Sequence, residues 1–349
     1  MILSCRTLLM RSAHCYGINE RKVYMSRISA EVIAHTKSPY TGKEIFSLVL
    51  HYPRFIHSEL MTHRILSRSA SSSRAMPVMH VTEQAEMYPA MPVYWGENQA
   101  GMQAKKELTV DAQEQAKLIW LAAKDTAVNF SRELFKLNVH KQIANRITEC
   151  FQTIKVIVTA TEWDNFFTLR DHEDAQPEFM TLARAMRKAM QDSTPKEGIY
   201  HLPFLTKKEL SQVTLDNFYQ WASISSARCA RVSYANHDGS NTTAEKDLKL
   251  FDLLVGEEPL HASPTEHPAL LVSTGCCEYN LIEYANTNPS FVEVSLPYTS
   301  RNFVGWTQFR EWVECSGKRL ITPLSGVTMY KQPIPHLFHR VWNTYFKEV

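Results

Sequence analysis

The alternation of apolar and polar positions predicts a chain of mixed strands and helices. Residues 28–35 alternate weakly, as a strand does. Residues 44–51 (EIFSLVLH) carry β-branched and aromatic side chains and predict a second strand. Pro53 then opens a stretch with Phe55, Ile56, Leu60 and Arg64 at helical spacing, ending near Leu66. Met76-Pro77 is the expected stop. Residues 104–137 are rich in Ala, Leu, Lys, Glu and Gln without Pro or Gly, which predicts one long helix. A further helix is expected at 141–150, a strand at 154–159 (IKVIVT), and helices at 162–172 and 179–191. Residues 195–205 have the composition of a boundary loop. Beyond it, 217–233 and 244–255 read as helices joined by the polar stretch 236–243, 293–296 as a short strand and 301–314 as a helix. The sum is an α+β chain: a mixed sheet with long helices. Three parts are expected: residues 1–24, a half spanning 25–205 and a half spanning 215–349.

Composition narrows the classes. The 349 residues are 44% hydrophobic and 21% charged, an ordinary globular balance. A net charge of +2 argues against nucleic-acid binding by bulk electrostatics. The seven cysteines, at positions 5, 15, 150, 229, 276, 277 and 315, include no CxxC pair. That disfavours a metal site or a disulfide framework and suits a reducing cytoplasm. No run of eighteen apolar residues occurs, so no spanning helix is expected. Met1 to Arg11 is apolar with two arginines, and no acid precedes Glu20. This segment reads as an upstream start preceding Met25, with an organelle-targeting leader as the minor alternative. The absence of a Gly-rich phosphate loop disfavours a Rossmann or P-loop nucleotide fold.

Three segments have the residue types for chemistry. In 62–74 (THRILSRSASSSR), serine hydroxyls lie between Arg68 and Arg74. Hydroxyls, loop amides and a two-pronged guanidinium suit a phosphate dianion. A solvated Ser-rich surface loop explains the same composition. In 165–172 (NFFTLRDH), Asn165 and Arg170 stand five apart, so a straight helix separates their faces. Arg170 near a helix C-terminus would equally complement the dipole. The third segment is Ala230-Arg231-Val232-Ser233 followed by 261–267 (HASPTEH). There Ser263, Pro264 and Glu266 have the spacing of a capping box, while His261 and His267 read equally well as core histidines.

Together these segments resemble the flavin-dependent thymidylate synthases. That family's signature is Arg-His-Arg, seven residues, then Ser-x-Arg; His63, Arg64, Ser72 and Arg74 keep the spacing. Its Asn-x-x-x-Leu-Arg segment is similar to 165–170, and an upstream arginine to Arg146. Its Ala-Arg-Val-Ser is similar to 230–233, and its His-x-Thr-Pro-x-Glu-His to 261–267 with Ser263 in place of Thr. In ordinary members the last two motifs precede the first; here they follow it, as in a circularly permuted chain. Thr62 replaces the first arginine of the signature, Ala70 a glutamate and Glu59 a glutamine. Arg68, Arg301 and Arg310 are expected substitutes, and 300–310 (SRNFVGWTQFR) faintly echoes 53–64, bringing Gln308 and Arg310 near the site.

The resemblance implies reductive methylation of dUMP to dTMP, with FAD as cofactor and methylenetetrahydrofolate and NADPH as co-substrates. It implies that Glu59, Ser72, Ser73, Arg74, Arg146 and Arg170 contact dUMP, with Arg170 the catalytic group. His63, Arg64, Asn165, Ser233, Ser263 and Glu266 would contact FAD. A homotetramer is implied, and neither a metal, a nucleic acid nor a membrane. Two alternatives stay open: hydroxymethylation or another modification of a uracil nucleotide, and a non-catalytic nucleic-acid-binding relative.

Overall fold

The computed structural model describes residues 28–39, 41–214, 216–232, 242–256, 260–271 and 299–315. Residues 1–24, Ser233, Cys276, Cys277 and the expected strand at 293–296 lie outside the described residues.

Strands β1 (Ser29–Lys37), β2 (Glu44–Pro53), β3 (Ser67–Ala70), β4 (Thr153–Ala160) and β5 (Lys196–Glu197) form one sheet in the order β3-β4-β2-β1-β5. The pairings among β3, β4, β2 and β1 are antiparallel, whereas β5 joins β1 in parallel, so the sheet is mixed. A smaller sheet unites β6 (Tyr200–His201), β7 (Ala269–Leu270) and β10 (Thr307–Gln308). Between its last two strands lies the hairpin of β8 (Thr299–Ser300) and β9 (Phe303–Val304).

Period-two alternation gives β2 and β4 two different faces. Phe46, Leu48, Leu50 and Tyr52 of β2 and Ile154, Val156, Val158 and Ala160 of β4 point to one side. There they meet Phe166 and Phe167 of helix Asp164–Arg170, and Phe179, Leu182, Ala183 and Met186 of helix Pro177–Gln191. Burying each such side chain stabilises the fold by roughly 1.5–3 kcal/mol. Helix Pro177–Gln191 starts with proline at its first turn, where no amide partner is lost. The other side carries Ile45, Ser47 and Thr159, and is covered by β7, β10 and the loop holding Trp306.

Several expectations change at this level. The helix after Pro53 is only a 3-10 turn (Arg54–Ile56) and one α turn (His57–Leu60). It ends early because the Arg68 guanidinium donates to the carbonyls of Leu60, Met61 and His63, at 3.3, 3.0 and 2.8 Å. Half of the serine-rich loop is a strand, β3, paired with β4. Helix 141–150 breaks at Asn145 into Lys141–Ala144 and a 3-10 run Arg146–Phe151. Asn145 is buried there and donates to the carbonyls of Ser73 and Met76. The stretch 195–205 is no plain loop, because β5 and β6 carry it from one sheet to the other. Residues 301–314 start with β9 and β10, and only Phe309–Cys315 is helical. Gly305, at φ 77°, makes the turn between these strands. Helix Val78–Met87, after Pro77, had no expected counterpart.

The long helix is present as Val110–Lys136, capped by Thr109. Packing holds it on one side only, where Trp120 donates to the Ala90 carbonyl at 2.9 Å. Among the described residues no helix is long and apolar enough to cross a membrane.

Candidate active site

The site is built around β3, the edge strand of the larger sheet. Its sequence Ser-Arg-Ser-Ala sends Ser67 and Ser69 to one face and Arg68 and Ala70 to the other. On the Arg68 face, Arg170 joins Glu59 and His63, more than a hundred residues earlier in the chain, in one cluster. The Arg170 Nε donates to His63 Nε2 at 2.7 Å, and its NH1 donates to Glu59 Oε2 at 3.1 Å. The Arg170 guanidinium lies 4.7 Å from the centre of the Phe179 ring, a cation–π contact. His63 packs edge-on against Phe166, with ring centres 5.0 Å apart. Burial, with Arg170 and Arg68 nearby, pushes the His63 pKa down to about 4. His63 is therefore neutral near pH 7 and accepts the Arg170 hydrogen bond.

On the Ser69 face a chain of hydrogen bonds crosses the sheet. Thr36 Oγ1 bonds His201 Nδ1 at 2.9 Å, and His201 Nε2 bonds Ser47 at 2.8 Å. Ser47 bonds Thr159 at 2.5 Å, Thr159 bonds His267 Nδ1 at 2.9 Å, and His267 Nε2 bonds Ser69 at 2.9 Å. Both histidines are fully buried, and burial pushes each pKa down to about 3, for His201 with help from His267 and His35. Gln308 adds bonds to Ser67 and to the Glu266 carbonyl, at 3.0 and 3.1 Å. These contacts hold the 3-10 turn Ser263–Glu266 beside β3.

The capping box expected at Ser263 does not form: Ala262 occupies the cap position without a side-chain bond. The Glu266 carboxylate pairs with Arg310 instead, and Arg310 also pairs with Glu314 at 2.6 Å. A capping box does form elsewhere, between Thr206 and Glu209. His267 is a satisfied core histidine, whereas His261 is exposed.

The loop after β3 carries Ser72, Ser73 and Arg74. Arg74 is exposed, and the Ser72 hydroxyl accepts its amide at 3.3 Å. Ser73 donates to Glu149 Oε1 at 2.8 Å, and Arg146 donates to the same oxygen at 2.9 Å. Arg64, Asn165 and Ser263 are exposed, with Asn165 in helix Asp164–Arg170 and Ser263 in the 3-10 turn Ser263–Glu266. Arg231 bonds the fully buried Asp247 at 2.8 Å, and Arg228 bonds it at 2.9 Å, so Arg231 of the Ala-Arg-Val-Ser segment is a structural ion-pair partner. Arg68 donates through its NH1 to the helix-end carbonyls, and these bonds do not involve its Nε or NH2. Arg301 pairs with Glu314, on the outer side of Arg310.

Sequence reasoning missed His201, Arg54 and Glu149. No motif residue type marked them, and most of their partners, such as Thr36 and Ser47 for His201, Ser71 for Arg54 and Ser73 for Glu149, are distant in the chain. Among the described residues no group of three or more His, Cys, Asp or Glu has the arrangement of a metal site.

No curated protein matches this chain. A UMP/dUMP methylase PolB from Streptomyces cacaoi bound with 5-Br dUMP is similar at 16% identity, covering 47% of this chain and 90% of that one with a TM-score of 0.40. The same methylase bound with 5-Br UMP is similar at 16% identity, covering 48% and 89% with a TM-score of 0.41. The family model described as thymidylate synthase complementing protein matches residues 19–196, just over half of the chain, and leaves the segments at 230–233 and 261–267 outside the match. The chain belongs to that family, the flavin-dependent thymidylate synthases.

Proposed function

We propose that the protein reductively methylates the uracil ring of dUMP to give dTMP, using FAD, methylenetetrahydrofolate and NADPH. The observation that carries this reading is the Glu59–His63–Arg170 cluster. Residues more than a hundred positions apart meet in one hydrogen-bonded group beside the serine-rich loop. The motif order further supports a permuted arrangement of the two halves, because the turn at 263–266 lies against the edge strand that precedes the Ser-x-Arg pair.

The donors fit the cofactor. Arg64, Asn165 and Ser263 are exposed polar groups, suited to a pyrophosphate and a ring edge. Bound flavin supplies the hydride chemistry. The protein's own task is positioning. Glu59 and His63 hold Arg170 in one orientation, and the Phe179 ring supports its guanidinium from one side. A fixed cation beside the pyrimidine stabilises negative charge developing on the ring. Neutral His63 is needed for that arrangement, because its protonated form repels Arg170 and loses its acceptor nitrogen. Ser72, Ser73, Arg74 and Arg146 would hold the phosphate, and Glu59 the nucleotide beside Arg170. The exposed apolar residues Leu118, Ile119, Phe130 and Leu137 on and after the long helix support assembly into an oligomer.

The test is an absorbance spectrum of the purified protein. A flavin band bleached by NADPH and restored by dUMP with methylenetetrahydrofolate is expected, with a product mass equal to dTMP. A colourless protein, or a hydroxymethylated product, would displace this reading.

A further inference from the structure

The serine loop meets a carboxylate where a phosphate oxygen would sit. Glu149 Oε1 accepts from Ser73 Oγ at 2.8 Å and from Arg146 at 2.9 Å, and lies 3.7 Å from Arg54 NH1. Arg54 is an unusual neighbour. Its side chain is only 13% exposed, its NH2 donates to the Ser71 carbonyl at 3.0 Å, and its Nε is buried without a hydrogen-bond partner. Burial and the nearby Arg146 both weaken its hold on its proton, while Glu149 opposes them. Two guanidiniums thus share one carboxylate oxygen, and exposed Arg74 adds a third positive charge to the same loop. The cluster keeps a positive excess and unfilled donor capacity. A phosphate monoester, with three terminal oxygens and roughly two negative charges, matches that excess better than one carboxylate does.

Resting on the nucleotide reading above, we propose that Glu149 is a built-in competitor for the nucleotide phosphate and that Arg54 is a further phosphate-binding residue. Glu149 holds Ser73, Arg146 and Arg54 around one carboxylate oxygen. It sits on the 3-10 run Arg146–Phe151 with its side chain 28% exposed, so it can turn to solvent when a phosphate takes those donors. Two effects follow. The donors are preorganised before the ligand arrives, and weaker anions must displace a resident carboxylate to enter.

The test is calorimetric titration of the full-length protein with dUMP, deoxyuridine and inorganic phosphate. Glu149→Gln keeps the shape and removes the charge. We expect it to tighten dUMP and inorganic phosphate by about tenfold and to leave deoxyuridine unchanged. Arg54→Met should weaken dUMP by about tenfold and remove the gain in the double variant. Unchanged or weaker dUMP binding by folded Glu149→Gln overturns the competitor role. If that variant does not fold, Arg54→Met decides alone, and unchanged dUMP affinity overturns the proposal. Wild-type protein that ignores dUMP, yet binds inorganic phosphate more tightly after Glu149→Gln, sinks the nucleotide reading and keeps the anion site. Normal dUMP binding without any effect of either variant sinks this inference alone.

Discussion

The two faces of the larger sheet are held by different forces. One face is apolar: Leu48, Leu50, Val156 and Val158 pack against Phe166, Phe179, Leu182 and Met186. The other joins Ser47, Thr159 and Ser69 to His201 and His267 through hydrogen bonds. Apolar packing is non-directional and supplies most of the stability. The hydrogen-bonded chain tolerates one alignment only, since each donor must meet its acceptor within a few tenths of an ångström. The contrast teaches that the first face makes the fold and the second decides where the segment carrying Glu266 docks. Arg170 stands at the rim of the apolar face and Glu266 on the polar one, so the candidate site needs both.

The largest effect should come from the apolar face. Phe179→Ala is expected to destabilise the protein by about 3–5 kcal/mol in denaturant unfolding, because a fully buried ring leaves a cavity. A loss below about 1 kcal/mol would mean that this face is not the main source of stability.

Next, Arg170→Ala should raise the barrier for dTMP formation by roughly 3–4 kcal/mol while the protein stays folded. Steady-state turnover with dUMP checks it, and wild-type rates would remove Arg170 from the mechanism.

The polar face should respond differently. His267→Phe removes the bonds to Ser69 and Thr159, leaving Thr159 with Ser47 alone, a loss of about 1–3 kcal/mol. It should also expose residues 260–271 and 299–315 to limited proteolysis before the larger sheet. Simultaneous cleavage everywhere would erase the distinction between the faces.

The pH dependence sharpens the same point. His201 and His267 ordinarily titrate near 6.5 but are held down to about 3 in the folded protein. Above pH 6.5 both are neutral, folded or unfolded, and stability is complete. As pH falls from 6.5 towards 3 the unfolded chain takes up protons that the folded one refuses. Each histidine then removes up to about 1.4 kcal/mol per pH unit. Urea melts between pH 7 and 5 should show this slope, and His201→Phe with His267→Phe should reduce it to the share of His35, His57 and His63, whose pKa values burial also pushes down.

Arg74→Ala should have the smallest effect, weakening dUMP by about tenfold with little change in flavin content. Equal affinity in equilibrium binding would take Arg74 out of the phosphate contacts.

Local signals made much of this molecule readable in advance. Strands β2 and β4 carry their own β-branched pattern, and helix Val110–Lys136 sums a high propensity over many residues. Motif spacing singled out His63, Ser72, Arg74 and Arg170. The strand Ser67–Ala70 was hidden, because serine favours strands weakly and its partner β4 lies more than eighty residues on. The early end of the helix at Leu60 was hidden too, since it depends on Arg68 folding back over its carbonyls.

What the sequence determined by itself was the class of fold, the long helix, the central strands and the family signature, all written in short-range periodicity and spacing. The tertiary structure alone decided that Glu149 meets Ser73, Arg54 and Arg146, that Glu266 meets Arg310, and that two histidines seal the sheet. Apart from Arg146 and Glu149, three residues apart on one 3-10 run, those pairings join residues tens to hundreds of positions apart across about 3–4 Å, and no local pattern encodes so distant a partner.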